Sequence, residues 1–449
     1  MRNYKIYFSI GLALFSVIFS SILAFCTNVN TARNGFSVIY CAPTEIVVHL
    51  DANGGIFASN SSTTIDHTLT YGGIYNFETP NKTLTTYTRT FPNGTTRTYT
   101  YFDSYGFYVE GSYTGYTFDG WYTEATGGTK ITSSAQFPFA DEITLYAHWT
   151  GSITPPTITG LQHLAMGNFP QTYVGNTLNT TLENLYSSGS LSLVATGKNY
   201  TTSDVVNPGT ITSSTYFSIS YATLPEYIYN GNKYARLASA VRPSTLAFAD
   251  GTNIVNGTTY WFKVEPIPVM VMATTSDTNG VYKTVMCDMA LGSHRFSEGH
   301  DSTYWRDSQL RIFLNGGRIQ SRTLSGFYID SGLNNMSGIV KQTTITGNSY
   351  TTSDYVWVPS QPEMVDASNG FTATQTYDSA RLREATDLAR ATNTSNATRS
   401  DQPNIGPTST YWTRTVGYYN YNISTAGWAG GYSRPYNTYG YVPCWCIDV

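Results

Sequence analysis

Apolar residues along this chain follow first no period, then mostly a period of two. Residues 7–26 form an uncharged, largely apolar run behind Arg2 and Lys5. That layout predicts export, with residues 1–30 acting as a secretory signal or a retained membrane anchor. Residues 45–50 then alternate apolar with polar side chains and run into Asp51-Ala52-Asn53-Gly54-Gly55, which predicts a strand entering a tight turn. Residues 115–122 and 143–149 predict further strands of the same small sheet, with a turn at 124–128. Between them, residues 87–91 and 96–101 alternate around Pro92-Asn93-Gly94, predicting a hairpin that extends this sheet.

Residues 151–159 contain Pro155-Pro156 and read as an extended linker. Beyond them, residues 227–237 carry the turn Asn230-Gly231-Asn232, and the apolar run 260–272 predicts a strand that Pro266 and Pro268 place at an edge or a bulge. Residues 203–214 read as a polar loop. Helical spacing is sparse. It occurs over 301–315, which stops at Gly316-Gly317, over a segment opened by the capping pair Ser360 and Glu363, and over 379–392. Strands and helices mix without βα alternation, so the expected class is α+β, predominantly β, with domains at 44–150 and 160–449.

Composition sharpens this picture. Only 12% of residues are Asp, Glu, Lys or Arg, half the usual ~25%, whereas Tyr alone supplies 37 residues. Aromatic and β-branched side chains suit a half-buried pleated surface, and Asn and Gly suit the turns between strands. A net charge of -4 without a basic block gives no grip on phosphate, which excludes nucleic acid as the expected partner. A glycan or a surface protein fits better, because Tyr- and Asn-rich surfaces bind through rigid aromatic area and adaptable hydrogen bonds. Export also places Cys41, Cys287, Cys444 and Cys446 where disulfides persist. Cys444 and Cys446 share one strand face and read as buried small hydrophobes, with a bridge from either to Cys287 left open.

The motifs Asp51 to Gly55, Gly115-Tyr116-Thr117-Phe118-Asp119-Gly120-Trp121-Tyr122, Gly127-Gly128-Thr129-Lys130-Ile131 and Thr144-Leu145-Tyr146-Ala147-His148-Trp149 closely resemble the Listeria-Bacteroides, or internalin B-type, repeat. Residues 56–112 separate the first two motifs by more than that family usually allows. The resemblance implies a small β-grasp-like module that spaces or presents other domains at the cell envelope, with no enzymatic activity. The later segments resemble an uncharacterised domain of bacterial extracellular proteins. They do so through Gly167 to Gln171, through Trp305, Ser308, Leu310, Arg311, Leu314 and Asn315, through 354–363, and through Trp412 to Thr415. The close departs, with Val442 where that family has Arg. This second resemblance implies a C-type-lectin-like fold, which by itself selects no function. Leu23-Ala24-Phe25-Cys26 is similar to a lipoprotein signal but carries Phe25 where a small residue belongs.

Candidate chemistry is thin. His294, Glu298, His300 and Asp301 are the densest metal-capable cluster, but their spacing matches no established site and they read as a solvated loop. A glycosidase would need two buried acids facing one another, and a thiol enzyme an activated Cys beside a base. Arg311 and Arg414 are expected to form structural ion pairs with Asp307, Glu363 or Asp448. Trp121, Trp149, Trp305, Trp357, Trp412 and Trp445 are expected in cores rather than as sugar platforms. No residue set is singled out as catalytic, metal-ligating or ligand-binding, and no cofactor is implied. The expectation is a non-catalytic, adhesin-like surface or secreted bacterial protein, reaching a membrane through its N-terminal segment only. An envelope-associated enzyme acting on glycans and a purely structural envelope protein are the alternatives.

Overall fold

The structure, a computed structural model, describes residues 45–449 apart from 71–74, 114, 133–141, 152–153, 203–220, 240–245, 278–279, 298–302, 320–321, 348 and 393–407, together with the pairs Asn30–Thr31 and Ser37–Val38. The apolar run 7–26, Cys26, Cys41 and the loop 203–214 lie outside the described residues. Among the described residues no helix is long and apolar enough to cross a membrane. The chain divides into two units, residues 1–84 with 113–154 and residues 85–112 with 155–449.

In the first unit, period-two patterning produces a five-stranded sheet in the order Thr64–Thr70, Glu45–Asp51, Ile143–Thr150, Thr117–Tyr122, Lys130–Ile131. Glu45–Asp51 and Ile143–Thr150 are parallel and the other pairs antiparallel. Alternation sends Ile46, Val48 and Leu50 into a core with Phe57, Trp121, Leu145 and Ala147, where the Phe57 and Trp121 rings stack at 6.0 Å. The Asp51-to-Gly55 turn needs its residue types. Asn53 and Gly54 take left-handed φ values of 47° and 82°, and a Cβ on Gly55 would meet the Trp149 ring at 2.6 Å. Trp149 donates to the Ala52 carbonyl at 3.1 Å, so both tryptophans of this unit are packing residues, as expected.

The spine of the second unit is the 19-residue strand Thr259–Asp277. It pairs with His163–Tyr173 on one side, and with Asn232–Ala238 and then Gly280–Cys287 on the other. It is therefore central rather than an edge, and Pro266 sits at a bulge whereas Pro268 pairs in register with Ala165. Register shifts between Met166 and Phe169, opposite Pro266, where Gly167 has φ of 60°. Buried Gln171 donates to the Glu265 and Pro266 carbonyls at 3.0 and 3.1 Å, which gives Gly167 to Gln171 a backbone role. The hairpin Tyr221–Tyr229 and Asn232–Ala238 closes through Asn230 and Gly231, both at positive φ, as a two-residue primed turn requires.

The predicted hairpin forms, but it belongs to this second unit. Thr86–Thr90, Thr96–Phe102 and Phe107–Glu110 add to the edge of His163–Tyr173 through Leu164 opposite Val109 and Ala165 opposite Tyr108. The reason is electrostatic as well as geometric. Register sets Arg89 directly across from Arg97, a repulsive cross-strand pair. The two charges are balanced by Glu265, 3.2 Å from Arg89, and Asp288, 2.9 Å from Arg97. Both acids lie in the second unit.

A second sheet of that unit has the order Gly292–Arg295, Thr438–Tyr441, Tyr411–Val416, Asn420–Ile423, Gly431–Ser433. Helices are short, in keeping with a predominantly β, α+β class. Residues 301–315 yield a single 3-10 turn, Trp305–Asp307, then the helix Gln309–Asn315 capped by Ser308. Ser360 and Glu363 make the reciprocal capping bonds, at 2.7 and 3.3 Å, but open only the turn Glu363–Val365. Residues 379–392 break into the turn Ser379–Arg381 and the helix Asp387–Ala391. The longest described helix, Gly175–Ser187, escaped prediction because Leu182 is its one buried residue.

Candidate recognition surface

The second sheet ends at the strand Gly431–Ser433, paired with Asn420–Ile423. Register sets Tyr421 opposite Tyr432 and Asn420 opposite Ser433, so the Tyr and Asn positions face opposite ways. The inward side is anchored. Asn420 exchanges bonds with the Thr303 backbone at 3.1 and 2.7 Å, and Asn422 donates to Ser433 Oγ at 3.1 Å, which in turn contacts the Tyr439 hydroxyl at 2.8 Å. The outward side carries Tyr421, Tyr432 and, one pleat further, Tyr419 and Arg434. Tyr432 is 58% exposed and Tyr418, at the turn, 82%. Ring centroids run from Tyr418 to Tyr419 at 4.6 Å, Tyr419 to Tyr432 at 6.3 Å and Tyr432 to Tyr421 at 6.4 Å. Arg434 lies 5.7 Å from the Tyr419 centroid and 6.0 Å from that of Tyr436, and donates to the Tyr436 hydroxyl at 3.0 Å. Rings held by a hydrogen-bonded inner face form a preorganised platform.

Other positions singled out in the sequence turn inward. Trp305, Trp357, Trp412 and Trp445 are buried, with Trp305 donating to Asp354 at 2.8 Å and Trp412 to the His294 carbonyl at 2.9 Å. Arg414 forms the expected pair with Glu363, bidentate at 2.7 and 2.5 Å. Burial pushes the Glu363 carboxyl up, yet Arg414 and Ser360 outweigh it and hold it below the usual value. Arg311 instead pairs with Asp354 at 2.7 Å, because Asp307 is taken by Arg306 and Asp448 by Lys341. Asn315 accepts from the Tyr355 and Val356 backbone, so the Trp-Ser-Leu-Arg-Leu-Asn motif ties its helix to residues 354–356. Arg311, Asn315, Gln342, Asp354 and Tyr355 line a depression of about 230 Å³, below the ~300 Å³ from which small-molecule pockets begin.

His294 is not solvated as its loop reading implied. It is buried beside Phe313, at 4.6 Å, and burial lowers its pKa to about 4. Glu298, His300 and Asp301 lie outside the described residues. Buried Asp387 accepts from the Tyr173 and Ala249 backbone N–H groups at 3.0 and 2.8 Å, a structural use. Cys287, Cys444 and Cys446 are buried and no disulfide joins them to one another, and burial pushes the Cys287 and Cys444 thiols well up. Sequence reasoning missed the aromatic platform and a second feature, Arg381. That fully buried guanidinium donates to the carbonyls of Met364, Thr372, Thr374, Thr376 and Gly427. The available signal for the platform was the alternation of Tyr419 and Tyr421 with Asn420 and Asn422.

A family model described as the Listeria-Bacteroides repeat domain matches residues 76–148, and one described as a domain of unknown function, DUF6273, matches residues 283–449. The first match spans the inserted strands, and the second begins inside Gly280–Cys287, leaving Gly167 to Gln171 outside it. No curated protein and no solved structure matches the chain. The repeat domain suggests a surface or extracellular protein.

Proposed function

We propose that a chain carrying these two domains is a non-catalytic recognition protein of the bacterial cell surface, adhesin-like, in which the repeat module presents the C-terminal α+β unit to a glycan. The observation that carries this reading is the row Tyr418, Tyr419, Tyr432 and Tyr421, exposed at Tyr418 and Tyr432 and half-buried at Tyr419 and Tyr421, on a sheet whose other face is hydrogen-bonded inward. Sugar rings stack on such aromatic faces while their hydroxyls meet phenols and amides. An open platform also suits a polymer, which a depression of about 230 Å³ does not. A C-type-lectin-like architecture for the second unit and membrane attachment through the N-terminal apolar run complete the proposal.

Four of the five tryptophans of the matched domain, Trp305, Trp357, Trp412 and Trp445, are spent on packing, as are its buried thiols. That favours binding over catalysis. The test is binding of the purified full-length protein to an array of cell-surface glycans and cell-wall polymer, beside the Tyr419→Ala/Tyr432→Ala double variant. Selective binding that the double variant loses while keeping its unfolding midpoint supports the reading. Binding unchanged in the variant, or none in either protein, overturns it in favour of a protein partner or a structural role.

A further inference from the structure

We infer that the aromatic platform takes a saccharide bearing a carboxylate, a uronic-acid type of ligand, with Arg434 pairing the acid and Tyr419, Tyr421 and Tyr432 stacking the rings. The inference rests on the glycan-binding reading above and adds the charge of the sugar.

Its basis is the contrast between Arg434 and other arginines of the second unit. Arg89, Arg97, Arg236, Arg311 and Arg414 each have a carboxylate within 3.2 Å. The described contacts of Arg434 are instead the rings and phenols of Tyr419 and Tyr436. Among the described residues no carboxylate is paired with it, and residues 402–447 contain no Asp or Glu. The other cation of that stretch, Arg414, is already engaged by Glu363. Arg434 is exposed, and a guanidinium has five N–H donors of which Tyr436 and Tyr419 take two, so three remain for an incoming group.

Charge and geometry select the ligand. A planar fork meets a carboxylate through two parallel hydrogen bonds. A phosphate monoester, at about -1.5 to -2, calls for several cations, and residues 402–447 offer Arg434 alone outside the Glu363 pair. The Tyr419 ring beneath the guanidinium strengthens the site, since a cation over an aromatic face holds its position without a competing acid. A net charge of -4 on the whole chain gives an acidic polymer no long-range attraction, so recognition depends on this local cation and weakens with salt.

The test titrates the full-length protein with a galacturonic acid oligomer, the neutral galactose oligomer of the same linkage, and a galactose 6-phosphate oligomer, at low and physiological salt. The acidic oligomer is expected to bind about 10-fold tighter than the neutral one, as one charge-assisted pair provides. Arg434→Gln is expected to erase that preference and its salt dependence while leaving neutral binding, and Arg434→Lys to keep part of it. Equal binding of the acidic and neutral oligomers, a preference that survives Arg434→Gln, or tightest binding of the phosphorylated oligomer overturns the carboxylate assignment alone. Absence of binding to every oligomer, together with a silent glycan array, overturns the parent reading as well.

Discussion

Two hairpins of the second unit are built from the same residues and meet opposite fates. The inserted strands carry Tyr87, Arg89, Arg97, Tyr99 and Tyr101 on one face, and the sheet edge carries Tyr419, Tyr421, Tyr432 and Arg434. In the first, Arg89 is 5% exposed against Glu265, Arg97 meets Asp288, and Tyr87 stacks on Tyr99 at 6.0 Å. In the second, Tyr432 stays exposed, Tyr419 and Tyr421 are half-buried, and Arg434 has phenols where Arg89 has an acid. An alternating Tyr/Arg strand therefore specifies an aromatic face and nothing about its use. What lies opposite decides whether the face becomes packing or a binding surface.

Breaking the closed hairpin should have the largest effect. Glu265→Gln leaves the Arg89 charge buried beside an uncharged amide, and the stability of the second unit should fall by about 3–5 kcal/mol, measured by urea unfolding. The same change has no counterpart at the open site, because no described carboxylate pairs with Arg434.

The two edges of the small sheet can be separated by pH. His294 sits on the buried edge strand Gly292–Arg295, and its folded pKa of about 4 lies below the ~6.5 of an unfolded imidazole. The unfolded chain then takes up a proton before the folded one does. Stability should be full above pH ~6.5, fall as pH drops towards about 4 and level off below that. From about pH 7 to about pH 5 the loss should be about 2 kcal/mol, read from unfolding midpoints, and His294→Phe should flatten the slope. Glycan binding at the exposed edge should not follow this profile while the protein stays folded.

Asn437→Asp sharpens the comparison by giving Arg434 what Arg89 already has. The Asn437 N–H bonds to the Arg434 carbonyl at 3.0 Å, so the new carboxylate enters the same turn. Affinity for an acidic oligomer should drop about 10-fold with little change for a neutral one, by calorimetry. Smallest of all should be the stability effect of Tyr432→Ala, within about 0.5 kcal/mol by thermal unfolding, since that exposed ring contributes little to the core. A larger loss would mean that the open face is packing after all.

Much of the local structure was readable from residue order, because strand alternation, turn chemistry and capping act over a few residues. The strand 45–51 and its Asn53-Gly54 turn, the Asn230-Gly231 hairpin, the Gly316 stop and the Ser360–Glu363 capping bonds formed as their sequences predict. The Arg414–Glu363 pair was legible as well, since a buried guanidinium needs an acid and few were available. The partner of Arg311 was not, because Asp354 is brought to it from 43 residues away only by folding, past Asp307 four residues off.

By itself, then, the sequence determined a predominantly β chain, its turns, its repeat module and its scarcity of charge, all of which depend on short-range sterics and on composition. Tertiary structure alone decided that residues 85–112 complete the second unit, that His294 is a neutral core residue, and that one Tyr/Arg face is closed and the other open. Those outcomes depend on which groups meet across long separations, such as Arg89 and Glu265, 176 residues apart. No local pattern encodes such a meeting, because burial and charge balance belong to the assembled core.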